Sequence, residues 1–370
     1  MNTGRFARRT LLVSSVMVLF FTAFASSNQD ELPTVTHPKV HRVIKVQEMV
    51  TPVLMASDED ILGTAVGQDD DGEMALVVYV NMNGKHLGAS IQRIPSMIGG
   101  ERVNVEITEP FYAMAAKPPG GVSHTAKQTP PIQLGTSGGW RYDLANGYCC
   151  GGTLGSLIQV NTIQYIMSNY HVFEADIVAG GNDIVANDGD PVLQPGLIDV
   201  KCNAGSAQNV AALFKLSSLP NNNVDVSVAR VISGMVSPTG SILEIGTISA
   251  STVEAFIGQA VKKSGRTTGL TSSQVSGLNA TISVQYDNEC AGGAAFTKTF
   301  TGQIIIKNRV SRFLKSGDSG SLMVENVATN PRAVGLLYAG STTLAVANPI
   351  NEVLTFVGGK LGGTATMVGN

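Results

Sequence analysis

Apolar and polar residues change their rhythm twice along this chain. From Pro38 onward Val40, Val43, Ile44, Met49 and Val50 recur at helical spacing, which predicts an amphipathic helix that Pro52 interrupts. Two alternating runs, Ile61–Gly67 and Met74–Asn81, then predict strands joined by the turn residues Gln68 to Gly72. A third, Arg102–Thr108, alternates Val103, Val105 and Ile107 with polar neighbours. Residues 38–115 therefore read as a small α+β module, with Met97-Ile98-Gly99-Gly100 as a loop within it.

Pro118, Pro119, Gly120, Gly121, Pro130 and Pro131 mark residues 116–131 as a linker. After it, short apolar runs alternate with Gly/Asn/Asp/Ser turns: Gly152–Val160, Gln164–Met167, Val210–Leu216, Val224–Val231, Gln259–Lys263, Thr281–Gln285, Gly302–Ile306, Leu322–Glu325, Val334–Tyr338 and Thr342–Ala347. No helical crossover separates them, so residues 132–357 are expected to be mainly β, a sandwich or barrel. Asn351–Phe356 predicts a short terminal helix, and residues 358–370 a C-terminal tail.

The amino terminus has a third pattern. Arg5, Arg8 and Arg9 precede an apolar run from Leu11 to Phe24, and Ala23-Phe24-Ala25 suits cleavage, so residues 1–25 read as a signal peptide and 26–37 as a leader. The run is shorter than the roughly 20 residues of a spanning helix. A secreted or periplasmic protein without stable membrane insertion is expected. Loss of residues 1–25 removes three arginines and no acid, leaving 22 basic against 28 acidic residues, a net charge of −6. With no basic run, nucleic acid is not an expected partner.

Export permits disulfides. The four cysteines are Cys149, Cys150, Cys202 and Cys290; none forms a C-x-x-C pair and no histidine lies near them in sequence. They read as disulfide formers rather than zinc ligands, with Cys149 and Cys150 bonding to different partners. The acidic string Asp69-Asp70-Asp71-Gly72 lacks the spacing of a calcium loop and reads as a hairpin turn. No metal or cofactor is called for.

Glycine-flanked Ser319, in Gly317-Asp318-Ser319-Gly320-Ser321, is the candidate nucleophile. A serine hydroxyl needs a base, and His171 is the only histidine of the β-rich region. The base needs an orienting acid. Asp176, Asp183, Asp188, Asp190, Asp199 and Asp287 compete for that role, but most lie in Gly/Asn-rich turns. Asp225 sits among apolar residues in what reads as an alternating strand; a carboxylate there needs a partner, and Arg230 is the structural alternative to His171. The order His171, Asp225, Ser319 is that of the chymotrypsin type.

Cys150-Gly151-Gly152-Thr153-Leu154, Asn169-Tyr170-His171-Val172, Val224-Asp225-Val226-Ser227-Val228 and Gly317-Asp318-Ser319-Gly320 together resemble the trypsin/chymotrypsin serine peptidase family. Gly152-Thr153-Leu154-Gly155-Ser156, Gly265-Arg266-Thr267-Thr268-Gly269 and Ala347-Asn348-Pro349-Ile350 are similar to its bacterial branch with a small N-terminal module. The resemblance implies two Greek-key β-barrels of chymotrypsin type across 132–357, with the site between them. It implies His171 as general base, Asp225 as its orienter, Ser319 as nucleophile, and the N–H groups of Gly317 and Ser319 as the oxyanion hole. Phe313, Tyr338 and Gly340 map to the specificity pocket, Phe313 arguing against Lys/Arg preference.

Three departures accompany it. Val172 stands where the family has a cysteine, Ser321 replaces a glycine, and Asp318 has no activation-generated amino terminus in view. A serine endopeptidase acting on protein or peptide is the expectation. A catalytically silent binding protein on the same scaffold is the alternative, and the tethered 38–115 module is expected to be modestly autoinhibitory.

Overall fold

The computed structural model describes residues 32–113, 123–145, 148–174, 186–286, 296–308 and 312–370. The expected signal peptide at 1–25, Asp176, Asp183, Asp287 and Cys290 lie outside them, as does most of the first half of the expected linker.

The first part of the chain runs α1 (Pro38–Ser57), β1 (Ile61–Gln68), β2 (Met74–Asn81), α2 (Leu87–Arg93), β3 (Met97–Ile98), β4 (Glu101–Thr108) and β5 (Phe111–Ala113). Pro52 does not interrupt α1, which continues to Ser57. Its turn faces solvent, with Glu48, Pro52 and Val53 exposed, so water can satisfy the carbonyl that proline leaves without a donor. The buried face is Val40, Val43, Val46, Gln47 and Thr51, while Met49 is exposed. The expected loop at Met97 to Gly100 is instead β3 with its turn into β4, because residues 97–98 pair with 101–102. The acidic hairpin turn is closed by Asp69 Oδ1, which accepts from the Asp71 and Glu73 amides, and by Arg102 bridging Asp69 and Asp71.

Next come β6 (Thr136–Trp140), β7 (Leu144–Ala145), β8 (Tyr148–Cys149), β9 (Gly152–Leu154), β10 (Ser156–Val160), β11 (Ile163–Ser168), the single helical turn α3 (Tyr170–Phe173), β12 (Pro191–Gln194), β13 (Gln208–Phe214) and β14 (Ser227–Val231). The final third contains β15 (Ala260–Gly265), the 18-residue β16 (Gly269–Tyr286), β17 (Phe296–Lys307), β18 (Leu322–Glu325), β19 (Ala333–Gly340), β20 (Leu344–Pro349), α4 (Ile350–Leu361) and β21 (Ala365–Met367).

These strands form two curled sheets, in keeping with the mainly β expectation. The first has the order β21-β10-β11-β14-β13-β12-β6-β9, so the carboxy-terminal residues return to pair with β10. In the second, β15-β18-β19-β20-β17-β16 closes on itself through an added β15–β16 pairing. Closure removes the free edges that an open sheet would expose. β16 shifts register at Gly277 and Ala280, bends, and carries the sheet onward into β1, β2, β4 and β3. The strands of 61–108 are thus an extension of the second sheet. Gln47 of α1 ties them to it, donating to the Asn279 carbonyl at 2.7 Å.

β5 occupies a particular place. It runs parallel to β16 (Val284 opposite Phe111) and antiparallel to β19 (Ala339 opposite Ala113, Gly340 opposite Tyr112). Phe111 is fully buried and meets Tyr79 edge-on. Just before it, Thr108 Oγ1 is hydrogen-bonded to Ser341 Oγ and Thr343 Oγ1 in the β19–β20 turn.

Candidate active site

His171 lies in α3, which follows β11 directly because Asn169 is extended and Tyr170 starts the helical turn. Its side chain is 18% exposed and that of Asp225 is fully buried. The imidazole Nδ1 donates to Asp225 Oδ2 at 2.7 Å. Arg230 is exposed and forms no ion pair with Asp225; it points out of β14.

The expected strand around Asp225 begins only at Ser227. Residues 224–226 have no ladder, and side chains satisfy the backbone of Asp225 instead. Asn348 Oδ1 accepts from its N–H at 2.9 Å and Asn169 Nδ2 donates to its carbonyl at 2.7 Å. Its carboxylate receives three donors. The Tyr170 N–H reaches Oδ1 at 2.7 Å, while His171 and the Tyr286 hydroxyl, at 2.8 Å, share Oδ2. A buried carboxylate is tolerated only when its lone pairs are filled this way.

Ser319 sits on a turn stapled to the first sheet. Thr153 donates twice: its N–H to the Ser319 carbonyl at 2.9 Å and its Oγ1 to the Gly317 carbonyl at 2.8 Å. The backbones then approach so closely that side chains are excluded. A Cβ on Gly155 would stand 1.9 Å from the Gly320 carbonyl oxygen, and one on Gly320, 2.2 Å from Ser168 Oγ. Gly317 has φ 88°, a conformation that a Cβ would strain. Ser319 Oγ donates to the Tyr338 carbonyl at 3.3 Å. Among the described residues His171 Nε2 has no hydrogen-bond partner. The imidazole and the serine hydroxyl are therefore not hydrogen-bonded in this arrangement.

Asp318 has its partner within the fold. It is fully buried; Oδ1 accepts from the Thr267 and Thr268 amides at 2.9 and 3.0 Å, and Oδ2 from Thr268 Oγ1 at 2.7 Å and the Lys315 amide at 2.9 Å. Buried Lys263 stands 3.6 Å away and also reaches the Gly269 carbonyl and Thr268 Oγ1. Burial pulls the Lys263 ammonium below its usual range, and the Asp318 charge opposes that. The 265–269 turn between β15 and β16 is the cradle of the serine turn. Ser321 closes it, donating Oγ to the Asp318 carbonyl. Arg266 anchors the cradle to the first half through a two-pronged pair with Asp199, at 2.7 and 2.6 Å, and Ser137 also donates to Asp199.

The remaining expected residues fall as follows. Cys149 and Cys202 form a disulfide that fastens β8 to the segment after Val200. No described cysteine is free. Phe313 is fully buried in the apolar core with Ile257, Val261, Val275 and Met323. Tyr338 is fully buried against Phe300, and Gly340 lies opposite Tyr112.

Several contributors escaped the sequence reading. Lys263 and Tyr286 sit in strands whose alternation reads as ordinary core or surface. Asn348 carries a signal, a polar residue enclosed by Val346, Ala347 and Ile350. Asp143 is a further case: buried beside the site, its carboxyl is pushed up to about 7 by burial, with His171 pulling the other way.

The chain resembles known proteins over parts of its length. Residues 219–348 match the Nal1 C-terminal domain family. Streptogrisin-A of Streptomyces griseus is 30% identical over 154 residues, which is 39% of this chain and 41% of that protein. The chain thus spans less than half the length of this curated relative. Among solved structures, a glutamic-acid-specific serine protease is 18% identical with a TM-score of 0.41, over 64% of this chain and 100% of that one. Protease A of Thermobifida fusca is 18% identical with a TM-score of 0.40, over 65% and 99%.

Proposed function

We propose an exported serine endopeptidase of the trypsin/chymotrypsin type that cleaves protein or peptide through an acyl-enzyme. His171 takes the proton from Ser319 Oγ as that oxygen attacks the scissile carbonyl. Asp225 holds the imidazole in the tautomer with its proton on Nδ1 and stabilises the imidazolium. The N–H groups of Gly317 and Ser319 receive the developing oxyanion; donors of this kind are typically worth about 2.7–4 kcal/mol each. The imidazolium returns its proton to the leaving amine, and water activated by His171 releases the acid. Phe313, Tyr338 and Gly340 are the specificity residues of this reading, the first two acting from within the core.

The observation that carries it is the 2.7 Å His171–Asp225 contact, with Asp225 clamped at every polar atom by both halves of the molecule. Rotation of the Ser319 side chain away from the Tyr338 carbonyl is the step that completes the triad. Catalytic hydrogen bonds commonly tighten only when substrate binds. Fluorophosphonate labelling tests the reading: the wild type should react at Ser319, and Ser319→Ala should lose all labelling. Unaltered labelling of the variant removes Ser319 from the mechanism.

The N-terminal residues restrain this site in the same reading. β5 adds to β19 one residue from Tyr338, whose carbonyl holds Ser319 Oγ. An extended peptide seeking that strand by main-chain pairing would meet β5 first. A catalytically silent binding protein is the second reading, favoured by the Ser319 hydroxyl facing Tyr338. A purified protein that never labels and cleaves no peptide would establish it.

A further inference from the structure

Tyr286 closes β16, the strand that carries the second sheet into the N-terminal extension. It is 2% exposed, and its hydroxyl is buried with it. It lies 2.8 Å from Asp225 Oδ2, the same oxygen that receives His171 Nδ1. The ring stands edge-on to the imidazole, with centroids 5.8 Å apart at 70°, and its other side tilts against Phe300 at 6.5 Å. One side chain therefore touches both the acid and the base of the candidate triad, and it comes from the opposite half of the molecule.

Two consequences follow from elementary chemistry. Oδ1 is already fixed by the Tyr170 amide, so the phenol on Oδ2 leaves the carboxylate plane no freedom to rotate. The direction of the His171 ring is fixed with it. Second, two donors on one oxygen divide its charge, so the phenol moderates how strongly Asp225 holds the imidazolium. Burial and the Asp225 charge both push the Tyr286 hydroxyl well above its usual range, and so it remains a donor throughout the working pH.

We propose that Tyr286 is a positioning residue for the proposed reaction: its hydroxyl orients Asp225 and its ring braces His171. The proposal rests on the endopeptidase reading for its catalytic meaning, but its geometry can be tested apart from activity.

Tyr286→Phe keeps the ring and removes the hydrogen bond. In the pH profile of fluorophosphonate labelling, the acid limb should move to higher pH by about one unit, because Oδ2 then holds the His171 proton more firmly. That is the size of one charge-assisted hydrogen bond converted at about 1.4 kcal/mol per unit. Labelling at neutral pH should fall roughly tenfold by the same conversion. The NMR resonance of the proton on His171 Nδ1 should shift between wild type and variant, and this readout needs no catalysis. A wild type that never labels would defeat the endopeptidase reading while the NMR comparison still decides the role of Tyr286.

An unchanged resonance together with an unchanged pH profile, even with a lowered melting temperature, would show a space-filling tyrosine and overturn the proposal. Should Tyr286→Phe fail to fold, 3-fluorotyrosine at 286 keeps the packing and donates more strongly. The acid limb and the resonance should then move in the opposite direction, and no movement would again overturn it.

Discussion

The two β-rich halves hold their candidate catalytic residues by different means. In the first half, His171 and Asp225 are organised around a single buried carboxylate that receives three hydrogen bonds, with the Asp225 backbone held by two more. In the second, Ser319 is carried on a turn wrapped around a buried ion pair, Lys263 with Asp318, and closed by Ser321. Each half is completed by the other. Asn348 and Tyr286, both from the second sheet, fix Asp225, whereas Thr153 from the first sheet fixes the Ser319 turn. Neither half contains a finished site, so the geometry depends on how the two sheets dock.

The comparison can be broken most forcefully at the ion pair. Lys263→Met keeps the length of the side chain and strands the Asp318 carboxylate, which should cost about 3–5 kcal/mol, read as a lower urea midpoint. Labelling of Ser319 should fall with it. If stability is unchanged, the serine turn does not depend on that pair.

Asn348→Ala attacks the first half from the second. It leaves the Asp225 amide buried without its partner, a loss of about 1–3 kcal/mol, and should slow labelling roughly tenfold. An unaltered rate would mean that the docking of the sheets holds Asp225 without help.

Tyr112→Pro probes the strand added to β19. Proline cannot maintain the ladder, so β5 should loosen and hydrolysis of a small peptide should rise roughly threefold, the size of one net hydrogen bond. A fall in rate would indicate that β5 supports the site and does not obstruct it.

The effect of Asp143 on the comparison is the most indirect, since it shows only as the pH changes. Its carboxyl is raised by burial to about 7 from the ordinary 3.8, so the folded state favours the protonated form. That contribution is complete below about pH 4 and is lost as the pH rises through 7. Asparagine is neutral throughout, so Asp143→Asn should match the wild type near pH 4 and melt higher at pH 8 by several degrees. Equal melting temperatures at both pH values would mean that the Asp143 carboxyl is not held neutral.

The strands were legible because alternation and turn residues are local properties. Leu322–Glu325 and Met74–Asn81 have the bounds that the pattern predicts. α1 was legible in position but not in length, since the cost of Pro52 depends on solvent around the helix. Asp225 stood out as a charge among apolar residues, although the residues expected there as strand have no ladder and are held by side chains. Lys263 and Tyr286 did not stand out, because a lysine or tyrosine in an alternating strand looks the same whether it serves a partner or only fills space.

By itself the sequence determined the β-rich class, the order of His171, Asp225 and Ser319, and the glycines that let the serine turn form. Those depend on residue type, spacing and backbone freedom, all of which are written locally. Only the tertiary structure decided that Lys263 answers Asp318, that Tyr286 and Asn348 reach Asp225, and that β5 lies along β19. These contacts join residues separated by 50 to 230 positions, and their formation depends on how the sheets close and dock.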